Sequence, residues 1–516
     1  MKVLKFGGTS VANAQNIKIV LDIVQKQAKQ EQLIVVVSAL SKVTDLLFLA
    51  SHKAASNDES YKEIVAEIEK KHIDTLKEFI PVGEQSGLLS HIKRIINHLE
   101  TLLDGCFLLG ELSARTADII LSFGELLSSY IIAAALKQKI ANSDYKDSRE
   151  LIKTNNHFGK AAVNFDITNA LIADYFNSND CKVTIMPGFI ASTIDGINTT
   201  LGRGGSDYTA AILAGALGAN ELEIWTDVNG MYTANPKIVK QAQPIATISY
   251  QEAMELSHFG AKVLYPPTIQ PVLRKNIPII IKNTFEPEAE GTFISNNAVA
   301  NGNPVKGISH IDNISLITLE GPGMIGVLGS SKRLFETLSH ANVNVIFITQ
   351  ASSEHSICIG ILNSDAVAAE EAINKTFEIE IAQNKVEPCL VEKDLCIIAL
   401  VGENMKNHQG LSGKMFSTLG KNNVNIRAIA QGASERNISA VINERDVKKA
   451  LNTLHERFFE DNTKQLNLFV MGVGNVGEKF IDQINQQKKF LKENLKINLR
   501  VSALANSRKM LFDEEG

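Results

Sequence analysis

Residues 5–11, KFGGTSV, contain the end of a short predicted strand over 3–6 and the glycine turn that follows it. This segment is the first element of the predicted fold. Apolar residues with helical spacing follow over 16–28, and a continuous apolar run, LIVVV, occupies 33–37. Such a run is typical of a strand that is buried on both faces of a parallel sheet. Strand, helix and strand in this order predict an α/β domain.

The glycine turn predicts an anion site. Gly7 and Gly8 would let a phosphate approach the backbone, where amide groups near a helix N-terminus supply partial positive charge. Lys5 would add a full charge for a phosphoryl group in transfer. An ordinary turn is the commoner explanation of two glycines on their own, so a second signal is needed.

That signal is a second glycine loop, LGRGGSD, at 201–207, which precedes an apolar helical run over 208–217. Arg203 can grip a carboxylate with two parallel hydrogen bonds. Asp207 could position Lys5, face a phosphate-bound magnesium ion, or simply cap the helix. Two anion-binding loops suit a reaction between two anions. Neither loop has the GxxxxGK[ST] pattern of a P-loop, and the HRD and DFG motifs of protein kinases are absent.

Composition narrows the class of protein. The 516 residues predict roughly three or four domains. A net charge of -5 without a basic block argues against nucleic-acid binding. We also expect no signal peptide, and no apolar run approaches the length of a membrane span. The cysteines lack CxxC spacing and suit buried thiols of a reducing, cytoplasmic compartment.

The C-terminal half contains an internal repeat. Gly321, Gln350 and Ile357 recur as Gly402, Gln431 and Ile438, each 81 positions later. In the first copy the pattern predicts a strand at 315–319, a helix at 332–341, strands at 343–348 and 357–362, and a second helix. Two small βαββαβ units of ferredoxin type are therefore expected. Residues 285–304, with several Pro, Asn and Gly, are a plausible linker before them.

A third glycine motif, GVGNVG, stands at 472–477 after an apolar run over 466–471. GxGxxG between a strand and a helix indicates the start of a Rossmann domain, with the helix N-terminus facing a pyrophosphate. A further strand is predicted at 499–504. Ser507 and Arg508 would tolerate the 2′-phosphate of NADP(H).

Six segments, in this order, resemble aspartokinases: KFGGTSV, VVSALSKVTD, SFGEL, TTLGRGGSDYTA, WTDVNGMYTANP and ELSHFGAKVLYP. The resemblance implies the amino-acid-kinase fold, an α/β three-layer αβα sandwich, over residues 1–300. It also implies that MgATP and L-aspartate react to give 4-phospho-L-aspartate and ADP.

By the same resemblance, three groups of residues have expected roles. Lys5 and Asp207 match the catalytic pair. The aspartate pocket would contain Thr44, Glu125, Arg203 and Ser206. Positions around ATP match Gly7, Gly8, Thr226, Asp227, Tyr232, Lys237 and Lys262. Lys237 stands where the family often has Arg, which puts the nucleotide contact there in doubt because Lys lacks the planar fork.

The repeat resembles a pair of ACT domains over 301–462, interleaved in the family. In threonine-sensitive bifunctional aspartokinase–homoserine dehydrogenases, glutamines at the positions of Gln350 and Gln431 contact the inhibitor. Feedback inhibition by threonine is therefore expected, with lysine as the alternative. ACT sheets usually pair between subunits, which implies a homo-oligomer, a dimer or a tetramer.

Residues 463–516 resemble the opening of homoserine dehydrogenase. The NADP(H) contacts would come from Gly472, Gly474, Asn475, Val476, Gly477 and Arg508. The remaining dehydrogenase regions are missing from the sequence, so that activity is expected only of a full-length parent. Two other functions stay open, namely a kinase for glutamate or acetylglutamate and an amino-acid-sensing ACT module with an inactive kinase domain.

Overall fold

The computed structural model describes residues 1–260, 264–296, 303–324, 329–350, 355–432, 436–460, 464–495 and 497–513. The predicted Lys262 contact lies outside these residues. In order, the described chain forms a large sheet covered by helices, a six-stranded sheet with its own helices, and a small βαβ unit.

The first part is an eight-stranded sheet with a smaller three-stranded sheet beside it. Its strands are β1 (Lys2–Phe6), β2 (Leu33–Val37), β3 (Ser143–Tyr145), β4 (Lys153–Thr154), β5 (Val183–Pro187), β6 (Ile190–Thr193), β7 (Asn198–Thr200), β8 (Leu222–Thr226), β9 (Thr247–Ile248), β10 (Ile279–Asn283) and β11 (Thr292–Ile294). Its helices are α1 (Ala14–Ala28), α2 (Val43–Ala55), α3 (Tyr61–Phe79), α4 (Gln85–Leu109), α5 (Ala114–Lys137), α6 (Ser148–Leu151), α7 (Phe165–Ser178), α8 (Gly205–Leu217), α9 (Tyr250–His258) and α10 (Gln270–Leu273).

Strands β1 and β2 lie inside the large sheet, whose order is β3-β5-β2-β1-β8-β10-β11-β9. Every residue of β2 is buried, as its sequence predicts. Alternate residues enter opposite cores, Ile34 and Val36 on one face and Val35 and Val37 on the other. Helices cover both faces, so this part is the expected three-layer αβα sandwich.

Two sequence expectations are wrong here. The interval 285–304 is not only a linker, because β11 lies within it and pairs with β10 and β9. Helix α5 is also long and apolar enough, by length and composition, to cross a membrane. Most of its apolar stretch is buried in a core beside the large sheet, and this burial accounts for the apolar composition.

The second part has strands β12 (Gly307–Glu320), β13 (Phe347–Gln350), β14 (Ser356–Leu362), β15 (Leu390–Val401), β16 (Ile426–Gln431) and β17 (Asn437–Asn443). Its helices are α11 (Ser330–His340), α12 (Ala366–Thr376), α13 (Glu378–Ala382), α14 (Leu411–Lys421) and α15 (Val447–Phe459). The strand order, β13-β14-β12-β15-β17-β16, keeps β13 and β14 on one side and β16 and β17 on the other.

The two repeat units exchange strand segments. The second half of β12 pairs with β14, and its first half pairs antiparallel with the second half of β15. The first half of β15 pairs in turn with the end of β12. Asn313 and Asp394, 81 positions apart, stand near the middle of these long strands with φ of 58° each. The units are therefore interleaved, as the resemblance implied.

The third part consists of β18 (Lys464–Met471), α16 (Asn475–Asn494), β19 (Ile497–Ala505) and β20 (Met510–Phe512). Strands β18 and β19 are parallel, which makes a βαβ unit around the GVGNVG motif. Strand β20, which the sequence did not predict, pairs antiparallel with β19.

Candidate active site

Lys5 and Asp207 meet at the centre of the candidate site. Lys5 lies in β1, and Asp207 lies in the first turn of α8. Lys5 Nζ is 2.5 Å from Asp207 Oδ1, and the two side chains are 11% and 13% exposed. The amide groups at the start of α8 add partial positive charge near the Asp207 carboxylate. The pair is thus held on rigid elements, with one face open to solvent.

The glycine turn after β1 is anchored to β8. Gly7 N donates to the carbonyl of Trp225 at 3.1 Å, and Ser10 Oγ donates to the same carbonyl at 3.3 Å. A Cβ on Gly8 would stand 3.3 Å from the carbonyl oxygen of Ala39, tighter than most real contacts. The close approach of the chain that follows β2 therefore favours glycine at this position.

Two adjoining cavities open around this pair. The larger, of about 480 Å³, is lined by residues that include Gly7, Gly8, Lys42, Asp45, Thr226 and Asp227. The smaller, of about 300 Å³, is lined by residues that include Phe189, Gly202, Arg203 and Ser206. Both share Lys5, Ser38, Thr44, Glu125 and Asp207. The structure thus places the glycine turn, which is expected to bind phosphate, in one cavity and the Arg203 loop, which is expected to bind a carboxylate, in the other. Lys5 lines both cavities.

Glu125 is the buried acid of the site. Its side chain is 4% exposed, and Oε2 has no hydrogen-bond partner among the described residues. Burial raises the pKa of the Glu125 carboxyl to about 8, although a hydrogen bond from the backbone of Ala39 opposes the shift. A buried oxygen facing a cavity without a partner suits a ligand that carries a hydrogen-bond donor.

The loop around Arg203 has a conformation that needs glycine. Gly202 and Gly204 have φ of 72° and 70°, on either side of Arg203. The Arg203 side chain is exposed at the smaller cavity. Ser206 packs against Gly188, where an added Cβ would stand 2.6 Å from Ser206 Cβ.

Tyr232 and Lys237 are not among the residues that line either cavity. Lys237 is exposed, and its backbone N donates to Asn235 Oδ1 at 3.1 Å. Their neighbours Ala234 and Val239 pack into the core of the second repeat unit. The structure therefore does not gather these two residues with the other predicted nucleotide positions.

Gln350 and Gln431 end the two edge strands of the six-stranded sheet. Both are exposed, and Ser412 Oγ donates to Gln431 Oε1 at 3.0 Å. The two glutamines occupy equivalent positions in the two units, so the sequence repeat corresponds to a structural repeat.

The third glycine motif forms a turn between β18 and α16. Gly472 has a φ of 99°, and a Cβ on Gly477 would stand 2.0 Å from the carbonyl oxygen of Gly472. Gly474 is the N-cap of α16, whose first two residues are Asn475 and Val476. Arg508 follows the carboxyl end of β19, so it lies at the same sheet edge as the glycine turn.

Sequence reasoning missed Ser38, Lys42 and Asp45 on the cavity walls. They follow β2, whose carboxyl end lies beside that of β1 in a parallel pair. Lys42 has a φ of 68°, and Lys71 Nζ donates to the carbonyl of Ser41 at 2.5 Å. Ligands of open α/β sheets bind at the carboxyl ends of the parallel strands, so the position of this loop directly after β2 could have identified these residues.

Comparisons with known proteins agree with this arrangement. The amino acid kinase family model matches residues 1–283, and the ACT domain model matches 317–377 and 398–458. Aspartokinase 1, chloroplastic, of Arabidopsis thaliana is 33% identical over 92% of this chain and 83% of its own length. The structure of E. coli aspartokinase III in complex with aspartate and ADP aligns with a TM-score of 0.76 and 30% identity, over 89% of this chain and all of that one.

A longer relative matches as well. Bifunctional aspartokinase/homoserine dehydrogenase 1, chloroplastic, of Arabidopsis thaliana is 38% identical over the whole of this chain, which spans 57% of that protein's length. The family match over more than half of the chain and the coverage of aspartokinase 1 lead to one conclusion: the chain belongs to the aspartokinase family of amino acid kinases.

Proposed function

We propose that the chain transfers the γ-phosphoryl group of ATP to the side-chain carboxylate of L-aspartate, which gives 4-phospho-L-aspartate and ADP. The observation that carries the proposal is the Lys5–Asp207 pair on the wall shared by two cavities. E. coli aspartokinase III, which shares 30% identity, was solved with aspartate and ADP.

The acceptor carboxylate needs no general base. A carboxyl group with a pKa of about 3.9 is ionised at neutral pH and can attack phosphorus directly. What limits the reaction is repulsion between two anions and their alignment. Lys5 neutralises charge on the transferring group, and Asp207 holds the ammonium of Lys5 in place.

The smaller cavity would take the amino acid. Arg203 would hold the α-carboxylate, and Ser206 and Thr44 offer hydroxyls to the rest of the acceptor. The partner-free oxygen of Glu125 faces the same space and would accept from the ammonium group of the substrate.

The larger cavity would take the nucleotide phosphates, with Gly7 and Gly8 close to them and Thr226 and Asp227 on the wall. Mg²⁺ usually binds one or two carboxylates together with substrate phosphates, which fits Asp207 and Asp227. When bound, the ion neutralises charge on the phosphate oxygens. Roles for Tyr232 and Lys237 in nucleotide binding stay predictions.

A coupled assay of ADP release with L-aspartate, together with trapping of the acyl phosphate as a hydroxamate, tests the proposal. Lys5→Ala should abolish the product, and near-normal turnover in that variant would disprove the site. L-Glutamate and N-acetylglutamate belong in the same panel. Preference for either would favour the alternative amino-acid kinase, and no ADP with any of them would favour an inactive, sensing chain.

Regulation and the whole protein are further proposals. The ACT pair would bind threonine near Gln350 and Gln431 and lower kinase activity, and it would pair subunits into a homo-oligomer. In a longer parent, the βαβ unit would open an NADP(H)-dependent homoserine dehydrogenase domain, as the name of the bifunctional relative suggests. Adding threonine and lysine separately to the kinase assay distinguishes the two candidate inhibitors.

A further inference from the structure

Asp118 is a buried carboxylate that has no role in the chemistry above. It lies in α5 and is 2% exposed. Its two oxygens accept hydrogen bonds from Gly159 N at 3.1 and 3.0 Å, from Thr200 N at 3.0 Å and from Thr200 Oγ1 at 2.7 Å. Within the described ranges, no lysine or arginine forms an ion pair with it. These hydrogen bonds therefore compensate the cost of burying the carboxylate.

The two partners of Asp118 both lie next to the start of the Arg203 loop. Thr200 ends β7, three positions before Arg203. Gly159 approaches the loop from a different segment, since a Cβ on Gly202 would stand 3.1 Å from the Gly159 carbonyl oxygen. One carboxylate thus ties together the two backbone segments that hold the start of the loop.

Helix α5 also contains Glu125, which lines the smaller cavity together with Arg203. Glu125 follows Asp118 by seven positions, so the two side chains lie on one face of α5, about two turns apart. Glu125 reaches the cavity directly. Asp118 is not among the residues that line this cavity, and it acts through Gly159 and Thr200, which adjoin the Arg203 loop. Helix α5 therefore sets the relative position of the two groups that would bind the ends of an amino acid.

We propose that Asp118 is a positioning residue for the acceptor. Through Gly159 and Thr200 it holds Arg203 at a fixed distance from Glu125 and Lys5. The inference rests on the proposed function and adds to it a source of acceptor affinity.

The test compares KM and kcat for L-aspartate and MgATP in the full chain and its variants. Asp118→Asn replaces one acceptor oxygen with an amide that cannot accept from the same donors. We expect KM for aspartate to rise by about tenfold or more, with KM for MgATP changed by less than about twofold.

Thr200→Val gives a second measurement in case Asp118→Asn folds poorly. It removes only the hydroxyl that donates at 2.7 Å and keeps the shape of the side chain. Its effect on KM for aspartate should have the same direction and be smaller. Thr200→Ser, which keeps a hydroxyl, should restore the wild-type KM.

Thr199→Val is the matched control. Thr199 is the adjacent residue in β7, is equally buried, and bonds Thr154 Oγ1 at 2.7 Å instead of Asp118. It should lower thermal stability like Thr200→Val but leave KM for aspartate unchanged. Equal changes of KM in the two valine variants, or no change in Asp118→Asn and Thr200→Val, would overturn the inference. Failure of the wild-type chain to phosphorylate aspartate would reject the proposed function instead.

Discussion

Oγ1 of Thr233 lies 2.9 Å from Nε2 of His455, so the segment after β8 is hydrogen bonded to the last helix of the ACT pair. The contact is extended by the backbone, because Ile308 N in β12 donates to the carbonyl of Thr233 at 2.7 Å. The same segment carries Tyr232 and Lys237. The ACT pair thus fixes a kinase segment in which two nucleotide contacts are predicted.

Thr233→Val should loosen this junction. It removes the hydrogen bond to His455 and the one that Thr233 Oγ1 accepts from Gln243 N at 3.0 Å, without changing the shape of the side chain, at a cost of about 1 kcal/mol for each bond. If residues 232–237 contribute to nucleotide binding, KM for MgATP should rise severalfold while KM for aspartate stays constant. Thr453→Val is the control, since Thr453 bonds only carbonyls of its own helix in the described structure. Equal effects of the two variants would disprove the coupling.

Acidification should destabilise the chain through His72 and His455. Burial lowers the pKa of each imidazole to about 4, whereas an unfolded histidine titrates near 6.5. The unfolded state therefore binds protons first, and stability falls as the pH drops from about 6.5 to about 4. Each histidine should cost on the order of 2 kcal/mol at pH 5.

His72→Met tests this in the kinase part, because His72 is fully buried and its Nε2 has no partner among the described residues. The variant should lose less stability than the wild type between pH 7 and pH 5, measured by urea unfolding. A parallel decline of the two proteins would contradict the assignment.

The long strands of the ACT pair depend on two left-handed residues. Asn313 and Asp394 both have a φ of 58°, which asparagine and aspartate tolerate better than most residues. Asn313→Ala should therefore destabilise the chain by roughly 1 kcal/mol, and Asn313→Gly should not. Chemical unfolding of the two variants side by side measures the difference, and equal midpoints would show that the backbone there is not strained.

These strands also show the limits of sequence reasoning. The glycine turn, β2 and the βαββαβ repeat were predictable because local patterns specify them. The exchange between β12 and β15 was implied only by the family resemblance and not by a local pattern, because each strand crosses the boundary between units through one left-handed residue. Asp118 was missed for a related reason, since its donors are 41 and 82 positions away. Local patterns likewise indicate Lys5 and Asp207 separately, whereas their 2.5 Å contact is a property of the folded chain.

The edge-strand glutamines give a regulatory prediction. Gln350→Ala and Gln431→Ala should each raise the threonine concentration needed for half-inhibition, with little effect on kcat in its absence. Gln431 has a partner in Ser412, so Ser412→Ala should mimic part of the Gln431→Ala effect. Kinase assays over a threonine series measure this. Inhibition by lysine alone would reject the threonine assignment of the ACT pair.

Glu125→Gln should make the chain more stable and less active. Burial raises the pKa of Glu125 from its ordinary 4.5 to about 8, so the unfolded state releases this proton before the folded state does. The stability contributed by the neutral carboxyl is complete below about pH 4.5 and is lost as the pH rises towards 8. Near pH 7 the loss is on the order of 3 kcal/mol. Glutamine stays neutral and avoids this loss, so the stability difference between variant and wild type should grow from pH 5 to pH 8 in urea unfolding.

The Glu125→Gln variant cannot offer a carboxylate to the substrate ammonium group, and its KM for aspartate should rise by at least about tenfold. A stability difference that does not change with pH would mean that Glu125 is already ionised in the free enzyme.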